Sequence, residues 1–149
     1  MEIFEMIKQH MSGSVPFAKY TGVELEEVSP ERGVASLAKR GEVENHIQTM
    51  HAGAIFTLGE AASGAAVGGV LADQILAARP VAANASINYV KTAKTDITAI
   101  ATASLPAADA LKAFHEDGKV VFDVHVDIRD ADENTCAEMT VAWHIKKLS

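Results

Sequence analysis

The chain has 149 residues, enough for one domain with a proper core. Apolar residues make up 48% and charged residues 22%, an ordinary globular composition, and the net charge of −7 argues against general affinity for nucleic acid or for an anionic membrane. The single cysteine, Cys136, excludes an internal disulfide and a thiolate metal cluster, and points to a reducing compartment, the cytoplasm.

The start is acidic and lacks a basic segment followed by an apolar run, so it does not read as a secretory signal. It reads instead as a short amphipathic helix over residues 1–12, with Ile3, Ile7 and Met11 on one face. Val23–Val28 is a predicted strand, Ser29–Gly33 a turn cluster and Val34–Ala38 a second strand. A polar, irregular segment, Lys39–Met50, holds Asn45 and His46. It leads into His51–Ala72, a predicted central helix apolar nearly all round. That helix is long enough to span a bilayer, but Glu60 near its middle and five glycines between Gly53 and Gly69 argue for a core helix instead.

From Pro80 the apolar period changes to two. Ala83, Ala85, Ile87 and Tyr89 alternate with polar residues, as do Ile97 to Leu105, Phe122 to Ile128 and Met139 to Ile145. These predict four antiparallel strands, each with one face on a core. A helical turn is expected at Ala107–Phe114 and a polar hairpin connection at Asp130–Asn134. The small residues of the central helix let a sheet backbone come close. The expected architecture is a single α+β domain over 1–149, an antiparallel sheet curled around one long helix.

Two features of that helix carry chemistry. Its first turn, His51-Ala52-Gly53, presents backbone N–H groups without internal partners, which can hold an oxyanion. Glu60, among Leu58, Gly59, Ala61, Ala62, Ser63 and Gly64, is a carboxylate in apolar company. It is either a reactive group, acting as base, nucleophile or orienter of water, or a plain surface acid at a gap in the sheet or paired with a lysine. Ala52 and Glu60 are eight residues apart, an axial rise of about 12 Å. If both act on one carbonyl, they come from different copies of the chain.

Elsewhere the signals are weak. His51 reads as a polar group hydrogen-bonded near the helix start, beside any bound substrate. His125 and His144 fall on polar strand faces, and no His, Asp or Glu cluster has metal-ligand spacing. Cys136 lacks an activating partner.

These residues resemble the signature of the hotdog-fold thioesterases of the PaaI / 4-hydroxybenzoyl-CoA type. Asn45 lies six residues before His51, and Glu60 nine after it, as in the family pattern. Ile87-Asn88-Tyr89-Val90-Lys91-Thr92-Ala93 is similar to the family's third-strand segment. Ala52 stands where the family has a glycine, and Thr92 where it has a proline. The resemblance implies a hotdog fold and acyl-CoA thioester hydrolysis, with coenzyme A entering as part of the substrate and no further cofactor. It implies a homodimer, alone or doubled into a tetramer. It gives Ala52 and Gly53 the oxyanion hole, Asn45 the positioning of thioester or water, and Glu60 of the partner chain the attack. Ser63 would orient water and Gly64 would lie beside Glu60, while Lys91 and Lys94 would meet the coenzyme A phosphates. A non-catalytic acyl-CoA-binding protein of the same fold is the alternative reading, and a hydratase-like enzyme a further one.

Overall fold

A computed structural model describes residues 2–148. Met1, where the expected first helix begins, and Ser149 lie outside the described residues. The elements run α1 (Ile3–Ser12), α2 (Pro16–Thr21), β1 (Glu24–Val28), β2 (Gly33–Leu37), α3 (Ala52–Leu71), β3 (Ala78–Tyr89), β4 (Ile97–Ala103), α4 (Ala107–Asp117), β5 (Lys119–Arg129) and β6 (Thr135–Lys147). One antiparallel sheet contains all six strands, in the order β1-β2-β4-β5-β6-β3.

The sheet curls around α3 because alternate residues of β2, β4, β5 and β6 are apolar and small enough to meet it. Leu37, Ile97, Val124, Ile128 and Val141 come from the strands, and Leu58, Ala62, Ala65, Val67 and Leu71 from the helix, all nearly or fully buried. Backbones come close where glycine allows it. A Cβ at Gly33 would lie 2.6 Å from the Ala62 carbonyl oxygen, and one at Gly69 would collide with the Ser29 carbonyl. These two glycines let the β1–β2 hairpin lie directly on α3. Together with the 3-10 turn that follows it, α3 is long and apolar enough to cross a membrane, yet 72% of its most apolar window is buried in this fold.

α1 packs Ile7 against the core, with Met11 partly buried beside it. The short α2 has no counterpart among the predicted elements. Pro16 begins it and Gly22, at φ 101°, ends it, the arrangement of proline inside the start and glycine past the end. The turn expected at Ala107–Phe114 is a full helix, α4, closed by Gly118 in the left-handed region.

One expectation needs correction. β3 does not set one face on a core. From Val81 to Tyr89 only Ile87 is even partly buried, because β3 is the outermost strand, paired to β6 alone. A bulge between Ala82 and Asn84 further bends it.

Candidate active site

The segment leading into α3 is wound around Asn45. Its Oδ1 accepts from the amides of Ile47 (3.1 Å) and Thr49 (3.0 Å), and its Nδ2 donates to Thr49 Oγ1 at 2.7 Å. Gln48 takes φ 60° to close the turn. The amide of Met50 then donates to the Ala93 carbonyl and that of His51 to the Val43 carbonyl, both at 2.8 Å. The start of α3 is thus tied down on two sides. One Nδ2 hydrogen of Asn45 is left over, since an amide carries two and Thr49 takes one.

His51 is the N-cap of α3, and its Nδ1 accepts the Gly53 amide at 2.8 Å. That bond separates the two amides expected in the oxyanion hole. Gly53 N–H is spent on His51, whereas Ala52 N–H has no partner among the described residues. The Ala52 carbonyl in turn accepts from the Tyr89 hydroxyl at 3.0 Å, a link from α3 to the end of β3. Nothing local to Tyr89 in the sequence signals this bond. Asn45, Ala52, Tyr89 and Lys91 line one cleft of about 340 Å³. Lys91 Nζ lies 3.4 Å from Asp130 Oδ2, so part of its charge is already matched, while Lys94 is exposed with no ion pair among the described residues.

Glu60 lies elsewhere. Gly53, Thr57, Glu60, Ala61 and Gly64 share one side of α3 by their spacing and stay partly exposed, while Leu58, Ala62, Ser63 and Ala65 behind them are buried. The Glu60 carboxylate makes no hydrogen bond or ion pair among the described residues, so it is not the lysine-paired acid of the plainer reading. It lines a second, apolar chamber of about 200 Å³, together with Met11, Val15, Ala18, Pro80 and Trp143. Gly64 lines it too. Ser63 is fully buried: its hydroxyl donates to the Glu60 backbone carbonyl at 2.7 Å and accepts from Trp143 Nε1 at 3.0 Å. It holds a wall of the chamber rather than facing into it.

One protomer therefore brings Asn45, Ala52 and Lys91 together at one cleft, and Glu60 and Gly64 at another. His51 and Gly53 also border a third depression, of about 590 Å³, under Phe17 and Tyr20 of α2. Burial raises the pKa of the Cys136 thiol, with Asp130 adding to the rise, which removes it as a nucleophile at neutral pH.

No curated protein sequence matches the chain. Among solved structures it is similar to a protein of unknown function from Pseudomonas aeruginosa, named a probable thioesterase, with 23% identity, a TM-score of 0.80, and 96% of this chain and 95% of that one covered. It is also similar to a thioesterase from Haemophilus influenzae, at 16% identity and a TM-score of 0.77, over 99% of this chain and 93% of that one. A mutant thioesterase enzyme from Staphylococcus aureus matches at 18% identity and a TM-score of 0.73, over 89% of this chain and 99% of that one. At these identities the likeness establishes the fold, a hotdog: a sheet wrapped around a long central helix. A family model described as a domain of unknown function, DUF4442, matches residues 4–145. Matched over nearly its whole length, the chain belongs to the DUF4442 family.

Proposed function

We propose that the protein hydrolyses acyl thioesters, with acyl-CoA as substrate, in a homodimer that shares each site between two chains. The observation that carries this reading is the position of the two clefts at opposite ends of β3. Tyr89 at one end is bonded to Ala52, and Pro80 near the other lines the chamber of Glu60. An antiparallel pairing of two β3 strands about their middle, near Asn84 and Ala85, sets Tyr89 of one chain opposite Pro80 of the other. The unpaired amide of Ala52 then approaches the carboxylate of the partner's Glu60.

The two sheet edges differ in a way that favours this pairing. β1 has five residues, three of them glutamate, a short and charged edge that discourages strand addition. β3 has twelve residues, with no charge from Pro80 to Val90.

In this reading Ala52 N–H polarises the thioester carbonyl, in the field of the α3 N-terminus. Glu60 takes a proton from water, whose oxygen adds to the acyl carbon. The tetrahedral intermediate collapses with cleavage of the carbon–sulfur bond, and the thiolate leaves and is protonated. Direct attack by the carboxylate, followed by hydrolysis of the anhydride, gives the same products. Asn45 contributes its remaining amide hydrogen to thioester or water, and Lys91 and Lys94 meet phosphate.

The bond from Gly53 to His51 favours a second reading, a binding protein without turnover, because it takes up one of the two amides expected to hold the oxyanion. A thiol-release screen over short, medium, long and aromatic acyl-CoAs decides between the two. Hydrolysis that Glu60→Ala abolishes, with the dimer intact by size-exclusion chromatography, supports the enzyme. Full activity in that variant discards the assignment, and saturable binding without thiol release across the panel selects the second reading.

A further inference from the structure

We infer that the chamber beside Glu60, roofed by α1 and α2, takes a straight-chain saturated acyl group, and that Gly64 and Trp143 set the length it accepts. This rests on the reading of Glu60 as the group that meets the thioester.

The walls come from four places in the chain. Met11, Val15 and Ala18 belong to the N-terminal segment, Leu25 to β1, Gly64 to α3 and Trp143 to β6. Each is apolar; Met11, Ala18, Leu25, Gly64 and Trp143 are half-buried, and Val15 is exposed at the rim. The polar atoms nearby are turned away or satisfied. Ser12 Oγ donates to the Lys8 carbonyl at 2.6 Å and Ser14 Oγ to the Met11 carbonyl at 2.9 Å. Trp143 Nε1 donates to Ser63. Lys19 also lines the chamber but is exposed, so its ammonium stays in water. Among the described residues lining the space, the Glu60 carboxylate is an acceptor without a partner. Against the apolar wall of Met11, Leu25 and Trp143 a ligand hydroxyl or amide would find no partner, whereas a hydrocarbon needs none. The reacting carbon belongs at Glu60 and the chain beyond it.

The space exists because residues lining it are small. At Gly64 a Cβ would reach Trp143 at 3.8 Å, ordinary van der Waals contact, so a side chain there is tolerated at its root and projects into the chamber beyond it. Ala18 faces the same space from α2. Trp143 cannot swing clear, since Ser63 holds its indole.

Trp143 is the chain's one tryptophan, so its emission reports directly on this wall. The test is a fluorescence titration with straight-chain primary amides from butanamide to decanamide, uncharged so that Glu60 does not repel them, and with phenylacetamide. The expected result is a saturable change whose affinity rises about fourfold per methylene until the chamber is full and then levels off. Gly64→Leu moves that limit to shorter chains. Ala18→Leu, on a separate element, does the same, and circular dichroism shows that both variants fold. Flat emission with every amide overturns the inference, as does a limit that neither variant moves or a stronger response to phenylacetamide. The thiol-release screen is read separately. Hydrolysis with a chain preference untouched by both variants removes the chamber and keeps the hydrolase. A chain-length limit that both variants shorten, with no thioester cleaved, keeps the chamber and removes the hydrolase.

Discussion

Trp143 Nε1 donates to the Ser63 hydroxyl at 3.0 Å across 80 residues of sequence, and that hydroxyl passes a hydrogen bond on to the Glu60 carbonyl. The serine therefore couples the last strand to the middle of α3. Ser63→Ala keeps the volume but strands the indole N–H in a half-buried wall, at a cost of about 1–3 kcal/mol. Thermal unfolding should fall by about 2–4 °C for each kcal/mol lost. An unchanged melting temperature would mean that the bond contributes nothing.

Ala52 is the first residue of α3, where proline is tolerated, and His51 before it has φ −65° and ψ 139°, a conformation compatible with a following proline. Ala52→Pro therefore deletes the unpaired N–H with the helix intact. We expect kcat to drop by about 10²- to 10³-fold, the usual effect of losing one oxyanion donor. Mixing this variant with Glu60→Gln under subunit exchange gives heterodimers in which one of two sites carries both wild-type groups. About a quarter of wild-type activity should return. No recovery on mixing would place both groups in the same chain.

Ala72 ends α3 at φ 51° and ψ −125°, a conformation that glycine adopts readily and alanine does not. Ala72→Gly relieves strain that outweighs the added freedom of the unfolded chain, for a net gain of about 1 kcal/mol. The melting temperature should rise by about 2–4 °C, measured by calorimetry.

The carboxylate of Asp130 anchors the β5–β6 turn. The Asn134 amide holds its pKa below the usual range, helped by the Asp132 amide and the Lys91 ammonium and opposed by burial. A carboxyl lowered in the folded state contributes stability that is complete above its unfolded value of about 3.9 and is lost as the pH falls through the folded value. Urea midpoints measured from about pH 6 down to about pH 3 should therefore fall more steeply for the wild type than for Asp130→Asn. Parallel curves would show that the turn does not depend on the charge.

The long helix and the strands with alternating apolar residues were legible because each rests on local periodicity. α2 was not, since six residues are too few to show a period, although Pro16 and Gly22 marked its ends. Alternation in β3 marks a strand, but the strand is largely exposed from Val81 to Tyr89 rather than half-buried. A period of two records that one face is apolar, not whose core that face meets. At the site, spacing picked out Ala52 and Glu60, and the helical rise alone separated them. The competition between His51 and an oxyanion for the Gly53 amide was invisible, because it depends on a side-chain rotamer at the cap. So was the engagement of Ser63 by Trp143, which comes from the other end of the chain.

The neutral outer edge of β3 also bears on how the chain comes to exist. β3 pairs only after β6 has been made, and its free side remains a strip of unsatisfied amides and carbonyls with no charge between Pro80 and Val90 to repel a wrong strand. If two copies pair along β3 as proposed, a newly synthesised copy carries that strip until it meets its twin. The interval shortens as the cellular concentration rises, so scarcity, rather than crowding with its own kind, is the condition under which this chain is most exposed to misassembly.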